Sequence, residues 1–367
     1  MRPAPIELSV SDGHEAIERC YAEGWTDGLP VVPPSEALVS RYMDASGWDP
    51  DDVLLREPVR GVAVRAGAVV VNAVLAGCLP EHLPIVGAAL RAMDHPDFRL
   101  HIPISSTGGA APVIVVNGPI RHRVDLNCAG NLFGPGRRAN AVIGRAVRLV
   151  LWNCLGARTG DLDLATQGWF GKYSACFGER EEASPWEPLH VRRGFDRAVS
   201  TVTVLATESA HNVLTASGVN AAAVLFTAGD VLRSLGSHSD GQGFLVIGPE
   251  HARILAGAGW TVAAIQAQLF DASRRSIRDL KLGGRLEGAV EPGDATATRP
   301  RGRVPEDILV LVGGSDAGCS SAWFPTWSRG RGSVAVTAPV DPADGDLVGS
   351  TPGPANAPGT GDGSDAR

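Results

Sequence analysis

The sequence predicts an α/β protein with mixed or mainly parallel sheets, arranged as two closely packed lobes in what could be an unusual fold. Apolar strand-like runs alternate with segments of helical periodicity along most of the chain. Three of these runs, "VIVVNGPI", "FLVIGPEH" and "ILVLVGGSDAG", each enter a Gly or Pro turn. A chain of 367 residues with 44% hydrophobic content can also bury a large core. We therefore expect an N-terminal lobe over 1–195, a C-terminal α/β lobe over 196–340 and a disordered tail over 341–367, where the composition collapses to small and polar residues.

The first elements of the chain carry helix signals. Residues 14–24 have helical periodicity, and Ser35 is placed to cap a second helix just after Pro34. The apolar segment 67–78 is compatible with a strand or a helix, and 83–93 is predicted to be helical.

The other predicted elements alternate as an α/β fold requires. In chain order they are a Gly-rich loop at 101–112, a strand at 113–117, a helix from Ala139 that ends at Gly156, a long ordered loop at 157–197, a strand at 200–206, a helix near 220–235, a strand at 244–249, a helix from about 250, a helix near 261–281, an exposed excursion at 284–305, and strands within 307–318 and 332–339.

Composition excludes several classes of partner. The net charge is −7 and no basic block is present, so a nucleic-acid partner is not expected. The N-terminus lacks an apolar signal segment, and no apolar stretch is long enough for a membrane span, so a cytoplasmic location is expected. The six cysteines form no C-x-x-C pair, which indicates reduced thiols. A metal is not expected, because no clustered metal-ligand pattern is present.

The stretch "GNLFGPGRR", residues 130–138, is a candidate anion site. Gly134 and Gly136 allow a close backbone approach at the start of a helix, where free N–H groups and a partial positive charge favour an anion. Arg137 and Arg138 could add charge-assisted hydrogen bonds. The alternative is a tight turn whose arginines are solvated or paired with Asp and Glu. The loop matches no nucleotide-binding fingerprint.

A second candidate is the polar, aromatic loop at 168–190. Lys172, Glu181 and Glu182 lie there among aromatic side chains that include Trp169 and Tyr173. Polar groups among aromatics are typical of a small-molecule pocket, and a glutamate beside apolar rings could act as a general base. Lys172 is one of only two lysines in the chain. The alternative is a solvated acidic loop pinned by its aromatic residues.

Weaker candidates lie elsewhere. Ser105 and Ser106 precede two glycines and could donate hydrogen bonds, although a capped turn explains them equally. His211 follows a predicted strand, where sites often form in α/β sheets, but a lone histidine is often structural. Cys128 and Cys176 could be reactive thiols, or simply buried cysteines.

Several longer stretches resemble a poorly characterised bacterial family that is often encoded beside a small protein with a Sec/Cys-Gly-Ser-Cys motif. The stretches are "DGLPVVPP", "NAVLAGCLPEHLPIV", "NGPI", "NLFGPGRRANAVIGRAVRLVL" and "GKYSACFGEREEASPWEPLHVRRGF". The resemblance spans about residues 15–340. Within the family, the chain is most similar to the large subunit of two-component enzymes that close aziridine rings in azinomycin-type biosynthesis. It has Trp169-Phe170 where the family has His-Pro, and Gly178–Glu182 where the family has Ala-Glu-Asn-Glu-Glu, which indicates a specialised pocket.

The resemblance implies a cofactor-independent reaction in which an amine displaces sulfate within an amino-sulfate substrate. A glutamate within 179–182, Glu181 or Glu182 in particular, would remove the amine proton, with Lys172 as a further catalytic candidate. Arg137 or Arg138 would hold the sulfate. The other candidates, Ser105, Ser106, Trp169, Tyr173 and His211, would line the substrate site. The resemblance also implies a hetero-oligomer with a small partner subunit, and the substrate could be attached to an acidic carrier protein.

Two alternatives stay open at this stage. The chain could be a subunit of a thiol- or selenol-dependent enzyme that cleaves a carbon–heteroatom bond reductively. It could also be a non-catalytic scaffold that stabilises a partner.

Overall fold

The computed structural model describes residues 9–217, 219–327, 333–341, 347 and 349. Within these residues the α-helices are α1 Gly13–Ala22, α2 Glu36–Ser46, α3 Ala66–Ala76, α4 Leu83–Asp94, α5 His101–Ser105, α6 Ile120–Arg123, α7 Arg138–Leu155, α8 Leu189–Arg192, α9 Ala221–Leu232, α10 Pro249–Gly257, α11 Val262–Ala272 and α12 Ile277–Leu282. The β-strands are β1 Val53–Glu57, β2 Val62–Arg65, β3 Ala111–Asn117, β4 Cys176–Gly178, β5 Thr201–Thr207, β6 His211–Leu214, β7 Gly243–Ile247, β8 Arg275–Ser276, β9 Thr298–Arg299, β10 Ile308–Val312, β11 Ser320–Pro325 and β12 Val336–Pro339. Pairs β3–β4 and β7–β10 are parallel and the rest antiparallel, so the predicted α/β class with mixed sheets is confirmed.

Two four-stranded sheets stack face to face. The first has the strand order β12-β5-β3-β4 and the second the order β10-β7-β11-β6. Successive side chains of a strand point to opposite faces. In β3, Val113 and Val115 join Phe324 of the second sheet in a shared buried layer, whereas Ile114 and Val116 pack with the helix-side core. Because successive side chains alternate between the two faces of each strand, one core forms between the sheets and a further core forms on the outer face of each sheet.

Helices cover the outer face of each sheet. Helices α3, α4 and α7 enclose the core outside the first sheet, and α9, α10 and α11 enclose the core outside the second. Strands with apolar side chains on both faces are typical of a sheet that is buried on both sides. The molecule is therefore a four-layer α/β/β/α arrangement, which the sequence reading did not specify.

Most predicted elements are confirmed within a few residues. Ser35 accepts a hydrogen bond from the Leu38 N–H and so caps α2 as predicted. Gly156 has a left-handed backbone, φ 68°, and ends α7 as predicted. The segment predicted at 67–78 as a strand or a helix is helical. It forms most of α3, whose buried residues pack against α7.

Some elements were predicted wrongly or missed. The single helix predicted at 261–281 is two helices, because the chain leaves α11 after Ala272 and pairs with β9 before Ser276 caps α12. The Gly-rich loop predicted at 101–112 begins with the short helix α5. Strands β1, β2, β6 and β11 were not predicted, since each is short or interrupted by polar residues.

The lobe boundary predicted near residue 195 does not separate the layers. Strands β5 and β12 lie after it in the chain, yet they pair with each other and β5 pairs with β3 in the first sheet. The predicted disordered tail, 341–367, lies almost entirely outside the described residues. In the described part of the chain, no helix is both long enough and apolar enough to span a bilayer.

The sandwich has two chemically different ends. At the first end, strands β3, β4, β7 and β10 finish, and the backbone N–H of Arg180 donates to the Val312 carbonyl to join the two sheets. We call this the carboxylate end. At the second end, β5 and β11 finish and Thr207 pairs with Thr326. We call this the Arg301 end, after the buried arginine described below.

Candidate functional site

The carboxylate end is organised by the parallel pairing of β3 and β4. Val116 stands opposite Gly178, so the residues that follow these strands emerge side by side. The Asn117 side-chain N–H donates to a Glu179 oxygen at 2.6 Å. Carboxyl ends of parallel strands are the usual location of binding sites in α/β proteins.

Glu179 is a structural anchor. Its side chain is 0% exposed, and it also accepts from the backbone N–H of Leu189 at 2.8 Å and of Val312 at 3.4 Å. Burial raises the pKa of Glu179. A carboxyl group enclosed by hydrogen bonds from three segments holds those segments together and cannot reach a substrate.

Arg121 binds the other two glutamates of this loop. Its guanidinium lies 3.1 Å from a Glu181 oxygen and 2.9 Å from a Glu182 oxygen. It also donates to the backbone carbonyls of Gly118 and Glu179. Partial burial favours the protonated form of Glu182, but hydrogen bonds from Arg121 outweigh it and hold the pKa of Glu182 at about 2. A carboxylate held ionised this firmly is a poor base for an amine.

His122 shares the same carboxylate. Its Nε2 lies 2.9 Å from the Glu182 oxygen that Arg121 also contacts. The imidazole is 67% exposed and Glu182 is 55% exposed, so this pair forms the solvent-facing margin of the network. A carboxylate that orients an imidazole is a common general-base arrangement. Sequence reasoning missed Arg121 and His122, although the charged run "RHRVD" directly after the "NGPI" turn was a usable signal.

We define Arg121, His122, Glu179, Glu181 and Glu182 as the carboxylate cluster. A buried histidine, His190, lies at its edge, with its Nδ1 4.0 Å from a Glu181 oxygen. Burial lowers the pKa of His190.

The predicted anion loop lies beside this cluster, with its two arginines directed to different partners. Arg137 occupies the N-cap position of α7. Its Nη1 lies 2.6 Å from an Asp125 oxygen, and this ion pair is exposed. Arg138 donates through Nε and Nη2 to the Gly77 carbonyl at the end of α3. Asp125 closely follows His122, so one segment, 120–128, connects Arg137 to the carboxylate cluster.

The loop glycines serve the backbone geometry. Gly136 has φ 131°, which L side chains rarely adopt. A Cβ at Gly134 would lie 2.2 Å from the Asn131 side chain, so that glycine permits a close turn. Both fit the turn interpretation as well as the anion interpretation.

Cys128 is the thiol nearest the cluster. Its Sγ lies 3.7 Å from Arg121 Nη1, and the absence of a side chain at Gly178 makes room for the sulfur. Burial raises the pKa of Cys128, with the nearby Arg121 opposing it. Burial also raises the pKa of Cys176, which lies in β4.

Lys172 lies away from the glutamates with which it was grouped. Its Nζ is 2.7 Å from both Asp163 oxygens, and Arg148 contacts the same carboxylate at 3.0 Å. Burial lowers the pKa of Lys172, with Asp163 opposing it. This ion-paired arrangement fixes the loop against α7.

The remaining predicted residues lie toward the Arg301 end. Trp169 donates to the Thr207 carbonyl at 3.2 Å, and Tyr173 is exposed. Ser105 donates to the His101 carbonyl, and Ser106 accepts from the Gly108 N–H, as expected for a capped turn. The structure therefore places Glu181 and Glu182 together on Arg121, and it separates them from Lys172 and from the candidates at the Arg301 end.

His211 lines a polar cleft of about 530 Å³ at the Arg301 end. The cleft is lined by Ser209, Ala210, His211, Asn212, Asp230, Val231, Ser234 and Arg275. Burial, followed by the charge of Arg301, lowers the pKa of His211. Arg301 was not predicted, because it lies in a segment read as an exposed excursion.

Comparisons with known proteins add no assignment. A scan against protein-family models, a search of curated proteins and a search of solved structures each found no match. Among the described residues, no group of three or more His, Cys, Asp or Glu side chains is placed to hold a metal ion.

Proposed function

We propose that the chain is a subunit of a cytoplasmic, cofactor-independent biosynthetic enzyme that closes an aziridine ring by displacement of sulfate. The sequence resemblance supplies the reaction class. The observation that carries the proposal is the exposed His122–Glu182 pair, which Arg121 holds in place. The same chain segment continues from His122 to Asp125, the partner of Arg137.

The reaction needs a base, a place for the leaving group and a fixed geometry. The substrate amine attacks the neighbouring carbon that bears the sulfate, so a C–N bond forms as the C–O bond breaks. Sulfate departs with the bonding electron pair, and the proton lost from nitrogen passes to the imidazole of His122. Oriented reactants and a positioned base lower the barrier without any redox change.

In this proposal His122 replaces Glu182 as the base. Glu182 has a low pKa and stays ionised, so it is suited to orient the imidazole that it contacts. Glu181 accepts from the Gly118 N–H at 2.7 Å and keeps the strand end in place. The two glutamates thus act as positioning residues.

Arg137 is the better placed of the two arginines for the leaving sulfate. Its partner Asp125 is 76% exposed, and exposed ion pairs contribute little, so sulfate can replace that carboxylate at small cost. Negative charge grows on the departing oxygen, so a guanidinium there stabilises the transition state more than the ground state.

The exposure of this margin supports a hetero-oligomer. The side chains of His122, Glu182 and Arg137 are all more than half exposed to solvent. Exclusion of water strengthens the electrostatic interaction of protein groups with the leaving sulfate. A small partner subunit that covers these three side chains would enclose the site, and the substrate could arrive on an acidic carrier protein.

The test is sulfate release from a synthetic vicinal amino-sulfate. The purified chain is assayed alone, with its small partner subunit, and with the partner alone. Ring closure with stoichiometric sulfate only when both subunits are present supports the proposal. A complex that binds the substrate without turnover would instead favour a scaffold role.

A second candidate function rests on Cys128. The Arg121 guanidinium lies 3.7 Å from its sulfur and can stabilise a thiolate. A partner thiol or selenol could then join Cys128 as a two-electron reductant, forming a sulfur–sulfur or sulfur–selenium bond as a carbon–heteroatom bond is reduced. Replacing Cys128 with Ala should abolish that reaction, whereas it should leave sulfate displacement nearly unchanged, and Cys319→Ala is the matched control.

A further inference from the structure

Arg301 is a buried cation whose donors are mostly unused. Its side chain is 1% exposed, and its Nη2 donates to the Ser237 carbonyl. In the described part of the chain, Nε and Nη1 have no hydrogen-bond partner. Buried polar groups without partners are uncommon and costly, so such donors call for an explanation.

The guanidinium is held in place by its surroundings. It lies over the ring of Trp323, with the guanidinium carbon 5.2 Å from the ring centroid. Trp323 pairs across the strands with His211, so the two side chains share the helix-facing side of the second sheet. An arginine stacked on an aromatic face presents its N–H groups in a fixed plane.

Other unpaired polar atoms lie close by. The hydroxyl of Ser237, whose carbonyl accepts from Arg301, is buried without a partner in the described residues. The Trp323 indole N–H is also buried without a hydrogen-bond partner in the described residues. The polar cleft at this end is lined by His211, the cross-strand neighbour of Trp323, and not by Arg301 or Ser237 themselves.

The charge of Arg301 is not neutralised directly. Glu208 attracts it, but within the described residues no carboxylate oxygen lies within the 4.0 Å of an ion pair with Arg301. A second arginine, Arg285, adds positive charge and donates to the His238 carbonyl.

We propose that the Arg301 end binds a small molecule through an oxyanion group, either a carboxylate or a sulfate or phosphate ester. The oxyanion accepts from the free N–H groups of Arg301 and from the Ser237 hydroxyl, and the rest of the molecule lies in the cleft beside His211. Glu208 competes with the ligand for the same positive charge. This site is separate from the carboxylate cluster and does not depend on the ring-closing reaction.

The experiment is an NMR titration of arginine side-chain Nε–H groups in the full chain. The probes are sodium sulfate, phosphate and acetate, each added at constant ionic strength. Arg301→Lys identifies the Arg301 signal by its loss. The signal in the wild-type protein should shift saturably with at least one probe, and the probe that saturates at the lowest concentration identifies the class of oxyanion.

Two variants test the roles of the neighbours. Glu208→Gln removes the competing carboxylate, so the apparent Kd should fall at least about tenfold, the effect of one charged contact. Ser237→Ala removes a donor, so the apparent Kd should rise severalfold. Arg303→Gln, an exposed arginine two residues from Arg301, is the control for net charge and should leave the Kd nearly unchanged.

Three results would overturn the proposal. One is an Arg301 signal that none of the probes shifts, and another is a shift that stays linear with concentration. The third is an apparent Kd that Glu208→Gln leaves unchanged. If Arg301→Lys does not fold, the signal is identified instead as the Nε–H that shifts between the wild-type and Glu208→Gln proteins.

Discussion

The two ends of the sandwich deal with buried charge in opposite ways. At the carboxylate end, Arg121 contacts both Glu181 and Glu182, and Glu179 accepts from three segments of chain. At the Arg301 end, a fully buried guanidinium keeps two of its nitrogens unpaired in the described chain. The charged groups of the carboxylate end are thus paired, although Asn117 Oδ1 and His190 Nδ1 have no hydrogen-bond partner in the described residues. The paired charges stabilise the fold, and only the exposed margin is free to react. Buried donors without partners, as at the Arg301 end, are arranged for a group that the chain itself does not provide.

The largest expected effect is the loss of Arg121. Arg121→Met leaves the largely buried Glu181 without its cation, and breaking such a pair destabilises a protein by about 3–5 kcal/mol. Urea unfolding followed by circular dichroism measures the change. Arg137→Met is the matched control, because its exposed ion pair is worth at most about 1 kcal/mol. Equal losses in the two variants would show that the network does not stabilise the fold.

Arg137 is expected to matter for rate instead of stability. Arg137→Ala should lower turnover roughly 10²–10³-fold, as when one donor to a developing oxyanion is removed. Arg138→Ala should keep the rate and lose about 0.5–1.5 kcal/mol of stability, because Arg138 donates to the Gly77 carbonyl. Sulfate release and thermal unfolding measured on the same samples separate the two effects. Wild-type turnover in both Arg137→Ala and Arg138→Ala would show that the loop is only a turn and does not bind the leaving sulfate.

The Arg301 end should respond to acid. Burial, followed by the charge of Arg301, lowers the pKa of His238 from 6.5 to about 4. The unfolded chain therefore binds a proton at this residue between these pH values while the folded chain does not, so the free energy of unfolding falls as the pH is lowered through this window. The contribution is on the order of 1–3 kcal/mol.

His238→Gln should flatten this dependence. Glutamine can still donate to the Ser273 carbonyl that His238 approaches, but it does not titrate. Urea unfolding at a series of pH values measures the slope, with the exposed His14→Gln variant as control. An unchanged slope in His238→Gln would mean that His238 titrates normally in the folded protein.

Local signals made much of the fold predictable. Ser35, Gly156 and the apolar run of β3 each carry their signal within a few residues, and the structure confirms them. The face-to-face packing of two sheets was not predictable, because it depends on which strands pair. β5 and β12 are far apart in sequence and still pair in one sheet.

The candidate site could be predicted only in part from the sequence, because it also depends on contacts between residues that are far apart in the chain. Glu181 and Glu182 stood out as polar residues in an aromatic loop, but their partner Arg121 comes about 60 residues earlier. Lys172 was grouped with them by proximity in sequence, whereas its partner is Asp163. Arg301 gave no signal, since burial of a single arginine depends on long-range packing.

The most direct test of the account compares His122→Gln with Lys172→Met in the sulfate-release assay of the complete complex. His122 lies at the exposed margin of the carboxylate cluster, and Lys172 lies in a separate ion-paired arrangement. The account predicts that His122→Gln lowers turnover about 10²–10⁴-fold, the usual contribution of a general base, while folded Lys172→Met retains wild-type turnover. Wild-type turnover in His122→Gln together with a large loss in Lys172→Met would contradict it.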